Sequence, residues 1–112
     1  MSRSIRKSVY FTADFEILFA WYVSRAGAQV AWRFQTALNN SLSHLSIRPD
    51  LGRPRHFHHR DLSGLRSITL ERPFHNLVFY RAGHQSLDAV CVMHGARNLP
   101  RRLREPPSID EP

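Results

Sequence analysis

The sequence predicts a small α+β domain, and three observations carry that prediction. A β-branched and aromatic stretch lies near the start, a long and sparsely charged stretch with helical spacing follows, and three strand-like runs come in quick succession toward the end. With 112 residues and 42% hydrophobic content, the chain can build one compact core and not two. The expected order is β-α-α-β-β-β, with an antiparallel helix hairpin packed on an antiparallel sheet that ends in a three-stranded meander.

Val9 to Thr12 reads as the first strand, with a start as early as Ile5. Thr12 then offers a hydroxyl cap, and Asp14 and Glu16 place negative charge at the positive end of a helix. That helix carries Phe15, Leu18, Phe19 and Tyr22 at helical spacing, and Gly27 breaks it. A second helix runs from about Ala28 to His44, with Val30, Phe34, Ala37, Leu38, Ser41 and Leu45 on one stripe. The short join makes the two helices an antiparallel hairpin.

Residues 46–64, SIRPDLGRPRHFHHRDLSG, hold too many turn formers for a regular element and read as a long loop with at most a short helical turn. The strands that follow are LRSITL from Leu65, NLVFYR from Asn76 and SLDAVCVMH from Ser86. Pro73 belongs to the first connection and Gly83 suits a tight hairpin in the second. On the last strand Leu87, Ala89, Cys91 and Met93 alternate with Asp88, Val90, Val92 and His94, so both faces become apolar toward its end. Residues 1–104 form the expected domain, and 105–112, EPPSIDEP, read as a disordered acidic tail.

Charge points to the partner. The net charge is +7 and Lys7 is the sole lysine, so the positive charge is carried almost wholly by arginine. A guanidinium is planar, offers two parallel donors to a carboxylate or phosphate, and stays charged when half-buried. The expected partner is therefore anionic: nucleic acid, an acidic protein segment or an anionic surface. No apolar run approaches the roughly 20 residues that span a bilayer, and the start lacks the long apolar block of a secretory signal. A single cysteine, Cys91, allows no internal disulfide and reads as a core residue of its apolar strand.

The arginines are grouped. Arg53, Arg55, Arg60 and Arg66 fall in and after the loop, Arg81 ends a strand, and Arg97, Arg101, Arg102 and Arg104 follow the last one. The meander is expected to gather them into one basic patch beside His94. Between Ile17 and Ile47 the formally charged residues are Arg25 and Arg33 alone, so part of the hairpin must be covered by the chain's own sheet or by a partner, with Trp21 and Trp32 facing that partner. Other chemistry finds little support. His56, His58 and His59 are flanked by arginines and lack a second ligand cluster, so no metal site is expected. No phosphate-binding glycine loop, useful carboxylate pair or nucleophile–histidine arrangement is present, and no cofactor is implied.

TADFE, the aromatic-rich hairpin, IRPDLGRPR, LSGLRSITL, LVFYR and VMHGARNL, in this order from Ser8 to Leu103, resemble the RelE/ParE superfamily of toxins from type II toxin–antitoxin modules. The VMHGARNL ending is similar to the ParE branch. The resemblance implies a cytoplasmic toxin, involved in plasmid stabilisation and growth inhibition, that poisons DNA gyrase without being an enzyme and is neutralised by a cognate antitoxin. It implies no membrane and no small-molecule substrate. Arg97, Arg101, Arg102 and Arg104 are then the target contacts, and Trp21, Trp32, Arg25 and Arg33 the antitoxin contacts. RelE-like members instead cut messenger RNA on the ribosome, and under that alternative Arg66, Arg81, His94 and Arg97 would surround the scissile phosphate. The chain departs from that pattern: no tyrosine follows His94, and arginine and histidine stand where a lysine-rich loop is found. A member that keeps only antitoxin binding is the third reading.

Overall fold

A computed structural model describes residues 2–57 and 62–94, with His94 described by its backbone. The elements are β1 (Ser4–Lys7), α1 (Val9–Ala26), α2 (Ala28–Ile47), a 3-10 turn at Pro49–Leu51, β2 (Arg53–Pro54), β3 (Arg66–Thr69), β4 (Asn76–Ala82) and β5 (Ser86–His94). The class is α+β. The five-stranded sheet has the order β1-β5-β4-β3-β2, in which β1 runs parallel to β5 and the other neighbours are antiparallel. The sheet is therefore mixed where the sequence suggested an antiparallel one. The helix hairpin carries the chain from β1 to β2 at the opposite border of the sheet, and three antiparallel reversals bring β5 back alongside β1 and parallel to it.

The expected first strand is displaced. Val9 to Thr12 is the first turn of α1, and the strand lies just before it. Ser8, not Thr12, is the cap, and its hydroxyl accepts a 3.0 Å hydrogen bond from the Phe11 N–H. β-Branched and aromatic residues favour a strand only weakly, and a well-formed cap followed by burial of Phe11 outweighs them here. Gly27 breaks the helices as expected: its φ of 97° lies where side chains are strained, and its N–H closes α1 onto the carbonyls of Tyr22 and Val23. α2 runs three residues beyond the expected end, to Ile47.

The helices cover one face of the sheet. Phe11, Phe34, Leu38, Leu42 and Leu45 pack there on Val78, Tyr80, Leu87, Ala89 and Val92. Loop residues Leu62 and Leu65 cover the other face over Phe79, Cys91 and Met93. β5 serves both because its register shifts: Phe79 pairs with Cys91 and Tyr80 with Ala89, which leaves Val90 unmatched in a bulge. Leu87 and Ala89 thus face the helices while Cys91 and Met93 face away, so the continuous stripe suggested by alternation is interrupted. Cys91 is fully buried, as its apolar strand implied.

Beyond Lys7, β1 no longer covers the edge of β5, and the start of α1 takes over. The Ser8 N–H donates to the Ala89 carbonyl at 3.0 Å and the Ser8 hydroxyl to the Val90 carbonyl. Six residues further along, the buried Asp14 carboxylate accepts the Val92 N–H at 3.0 Å. Asp14 is thus the partner of a strand edge and not a first-turn helix charge, since α1 has no acid in its first turn.

Candidate functional site

The meander decides which arginines meet. Arg66 opens β3 opposite Tyr80, and Arg81 follows Tyr80 on β4, so their side chains leave opposite faces at the same end of the sheet. His94 pairs with Asn76 at the far end of β4. Five residues separate Asn76 from Arg81, which is about 16 Å of strand. Among the described residues, Arg66 and Arg81 therefore stand at one end of the meander and the His94 position at the other. Adjacent antiparallel strands exchange ends, so the start of β3 lies beside the end of β4 while β5 finishes at the other side.

The guanidinium groups at the β2 end are also occupied. Arg66 Nη1 donates to the Gly52 carbonyl at 2.7 Å, and Arg81 Nε to the Ser63 carbonyl at 3.0 Å. Arg55 lies over the Phe79 ring, 5.7 Å from its centroid, and reaches Ser67 Oγ. Arg6 and Asp88 form a two-pronged pair at 2.9 and 3.3 Å. The Arg6 hydrogen bond holds the Asp88 carboxyl below the usual carboxylate range, and the same contact raises the Arg6 guanidinium. Arg53 is exposed.

These contacts frame a segment that sequence reasoning left as an open loop. The Tyr80 hydroxyl donates to the Pro49 carbonyl at 2.6 Å and accepts from the Gly52 N–H at 2.8 Å. Burial raises the Tyr80 pKa, against smaller opposing effects of the Gly52 N–H and of Arg66. Gly52 is required by contact: an added Cβ would overlap the Tyr80 hydroxyl and lie 2.7 Å from its Cε1. In the sequence, a tyrosine between Phe79 and Arg81 in a strand-like run gives no sign of such a tether.

The hairpin presents two surfaces, not one. Trp21 and Trp32 are 43% and 59% exposed. Trp32 stands edge-on to Phe19 with centroids 5.4 Å apart, whereas Trp21 packs on Tyr22 and lies under the Arg25 guanidinium at 5.6 Å. Phe19 and Trp21 are two residues apart on α1, about 200° around the helix. Trp21 with Arg25 and Trp32 with Phe19 therefore lie on opposite sides of α1. Arg33 is exposed and follows Trp32 on α2.

Arg97, Arg101, Arg102 and Arg104 lie outside the described residues, as do His58, His59, Arg60 and the acidic tail. His56 is exposed, and no group of three metal-binding side chains occurs among the described residues. No helix among them is long and apolar enough to cross a membrane.

No curated protein sequence is significantly similar to the chain. A solved structure of the chromosomal ParDE TA system from P. aeruginosa has the same fold, with a TM-score of 0.66 at 19% identity, over 83% of this chain and 96% of that one. Residues 5–99 match the family model described as the ParE toxin of type II toxin–antitoxin system, parDE. That match runs from within β1 to beyond the end of β5, most of the chain, and by it the chain belongs to the ParE toxin family.

Proposed function

We infer that this chain is the toxin of a type II module that acts by binding, inhibits growth by poisoning DNA gyrase, and is held inactive in the cytoplasm by a cognate antitoxin. One observation carries the preference for binding over catalysis: Arg66 and Arg81 stand at one end of the sheet and the His94 position at the other. A metal-independent nuclease needs a base, an acid and phosphate-stabilising cations within hydrogen-bond reach of one phosphate. A separation of about 16 Å along the strand is too great for that, and Arg66 already donates to Gly52. A binding toxin needs only a rigid platform and a charged surface. Arg97, Arg101, Arg102 and Arg104 supply the charge in this reading, at the end of the chain that β5 leads into.

The antitoxin reading draws on the hairpin. A partner segment with apolar and acidic side chains suits Trp21 beside Arg25 and Trp32 beside Arg33, since each couples an exposed indole to an exposed guanidinium. Because the two surfaces lie on opposite sides of α1, the antitoxin must wrap the hairpin or use one side of it. The test is induced expression with pulse labelling. DNA synthesis should stop before protein synthesis, and co-expressed antitoxin should restore both; an immediate stop in protein synthesis would favour messenger RNA cleavage.

A further inference from the structure

The helices cover one face of the sheet, while on the other Leu62, Leu65 and Phe57 pack over Phe79, Cys91 and Met93. Toward the end where β5 begins, the outward positions of that second face are charged. Leu87 and Ala89 face the helices, so Asp88 between them faces outward, and its strand partners Arg6 on β1 and Arg81 on β4 face outward with it. The Arg6 hydrogen bond and, more weakly, the Arg81 charge both lower the Asp88 pKa, in keeping with that placement. Arg55 stands over the ring of Phe79 on the same face, and Arg53 pairs with Ser67, the partner of Phe79, and so faces outward too. Arg6, Asp88, Arg81, Arg55 and Arg53 thus form a row from β1 to β2, about 19 Å across at ordinary strand spacing.

Four guanidiniums in this row face one carboxylate. Arg6 is held by Asp88, Arg81 by the Ser63 carbonyl, and Arg55 by Ser67 Oγ and the Phe79 ring. A guanidinium carries several N–H donors, so one such bond orients the group and leaves its charge in place. The exposed large apolar side chains lie elsewhere: they belong to the helices and the turn before β2, apart from Ile5, which alternates with Arg6 and leaves the opposite face. A protein interface is built around an apolar, charge-poor centre, which this row does not offer. Single-stranded nucleic acid stacks its bases on exposed aromatic rings, whereas Phe79 is buried and Phe57 lies against it. A duplex backbone needs neither feature. It presents one negative charge per ~1.7 Å of its axis and is held chiefly by arginine and lysine.

We propose that this outer sheet face binds the phosphate backbone of double-stranded DNA without regard to sequence, through Arg6, Arg81, Arg55 and Arg53, with Asp88 as the one opposing charge. The site uses none of Arg97, Arg101, Arg102 and Arg104, and it is measured with DNA alone. It therefore stands or falls apart from the gyrase reading.

The test is fluorescence anisotropy of a labelled random-sequence duplex, titrated with the full chain at several salt concentrations. Arg53→Gln with Arg55→Gln should weaken binding about tenfold and flatten the slope of log affinity against log salt by about 2. Arg25→Gln with Arg33→Gln removes the same charge from the helix hairpin and should weaken it less than about twofold. Arg53→Glu alone, on an exposed side chain, should cost about fivefold and keeps the test decisive where the double variant does not fold. Asp88→Asn should tighten binding about threefold, a gain that loss of folding does not imitate. Four results would overturn the proposal: no duplex binding at about 0.1 M salt; equal losses in the two double variants, which would mark net charge alone; no gain from Asp88→Asn; or tighter binding to single-stranded RNA of the same length.

Discussion

The Tyr80 hydroxyl holds Gly52 by its N–H at 2.8 Å, and no side chain fits between them. The same hydroxyl donates to Pro49, and Arg66 takes the Gly52 carbonyl, so two residues of adjacent strands fasten the turn that follows α2. Removing the hydroxyl leaves a buried donor and a carbonyl without their partner. Tyr80→Phe is expected to cost about 2–3 kcal/mol in chemical denaturation. Gly52→Ala should cost more, and Tyr80→Phe should not rescue it, because Cε1 and Cζ of the ring remain 2.7 and 2.8 Å from the added carbon.

The edge of β5 gives a second prediction. Asp14→Ala leaves the buried Val92 N–H without its carboxylate and is expected to cost about 1.5–3 kcal/mol. Asp14→Asn keeps an acceptor oxygen and should cost less. Ser8→Ala removes the helix cap as well as a bond to β5, for a loss of about 1–2 kcal/mol by the same measurement.

Much of this was legible in the sequence, for reasons specific to each element. The stripe through Phe34, Leu38 and Leu45 identifies α2, and three apolar runs separated by Pro73 and Gly83 identify β3, β4 and β5, because these signals are local. The boundary between β1 and α1 was not, because Val9, Tyr10 and Phe11 suit either element and Ser8 decides between them through contacts with Ala89 and Val90, some eighty residues away. The bulge at Val90 has no sequence mark of its own. At the candidate site, composition identified the exposed tryptophans and the arginines. Their grouping depends on which strand ends meet, and that separated Arg66 and Arg81 from His94.

The tryptophans should act independently. Trp21→Ala and Trp32→Ala are each expected to weaken antitoxin binding more than tenfold, which is about 1.4 kcal/mol or more, with smaller losses in thermal stability. Because the two surfaces do not touch, the double variant should show additive losses in isothermal titration within about 0.5 kcal/mol. Equal losses of affinity and stability would mark them as packing residues.

Stability should fall in acid through Asp88. Its folded pKa is lowered by the Arg6 hydrogen bond, so the pair's contribution is fully present above about pH 4 and is lost as pH falls through the folded value. The Arg6 side chain is largely solvated and that of Asp88 partly so, and the effect should be small and weaker in high salt. Thermal unfolding of Asp88→Asn against the native chain should show a difference that shrinks below pH 4 and in added salt.

The central claim is that the toxin binds its target and does not cut RNA. The most direct measurement sets two assays side by side on one preparation: supercoiling by purified gyrase, and cleavage of messenger RNA on programmed ribosomes. The account predicts that supercoiling stops while the RNA stays intact, and that Arg97→Ala with Arg101→Ala restores supercoiling in a folded protein. Cut RNA with normal supercoiling would contradict it, and would require Arg66, Arg81, His94 and Arg97 to converge in a conformation other than the one described here.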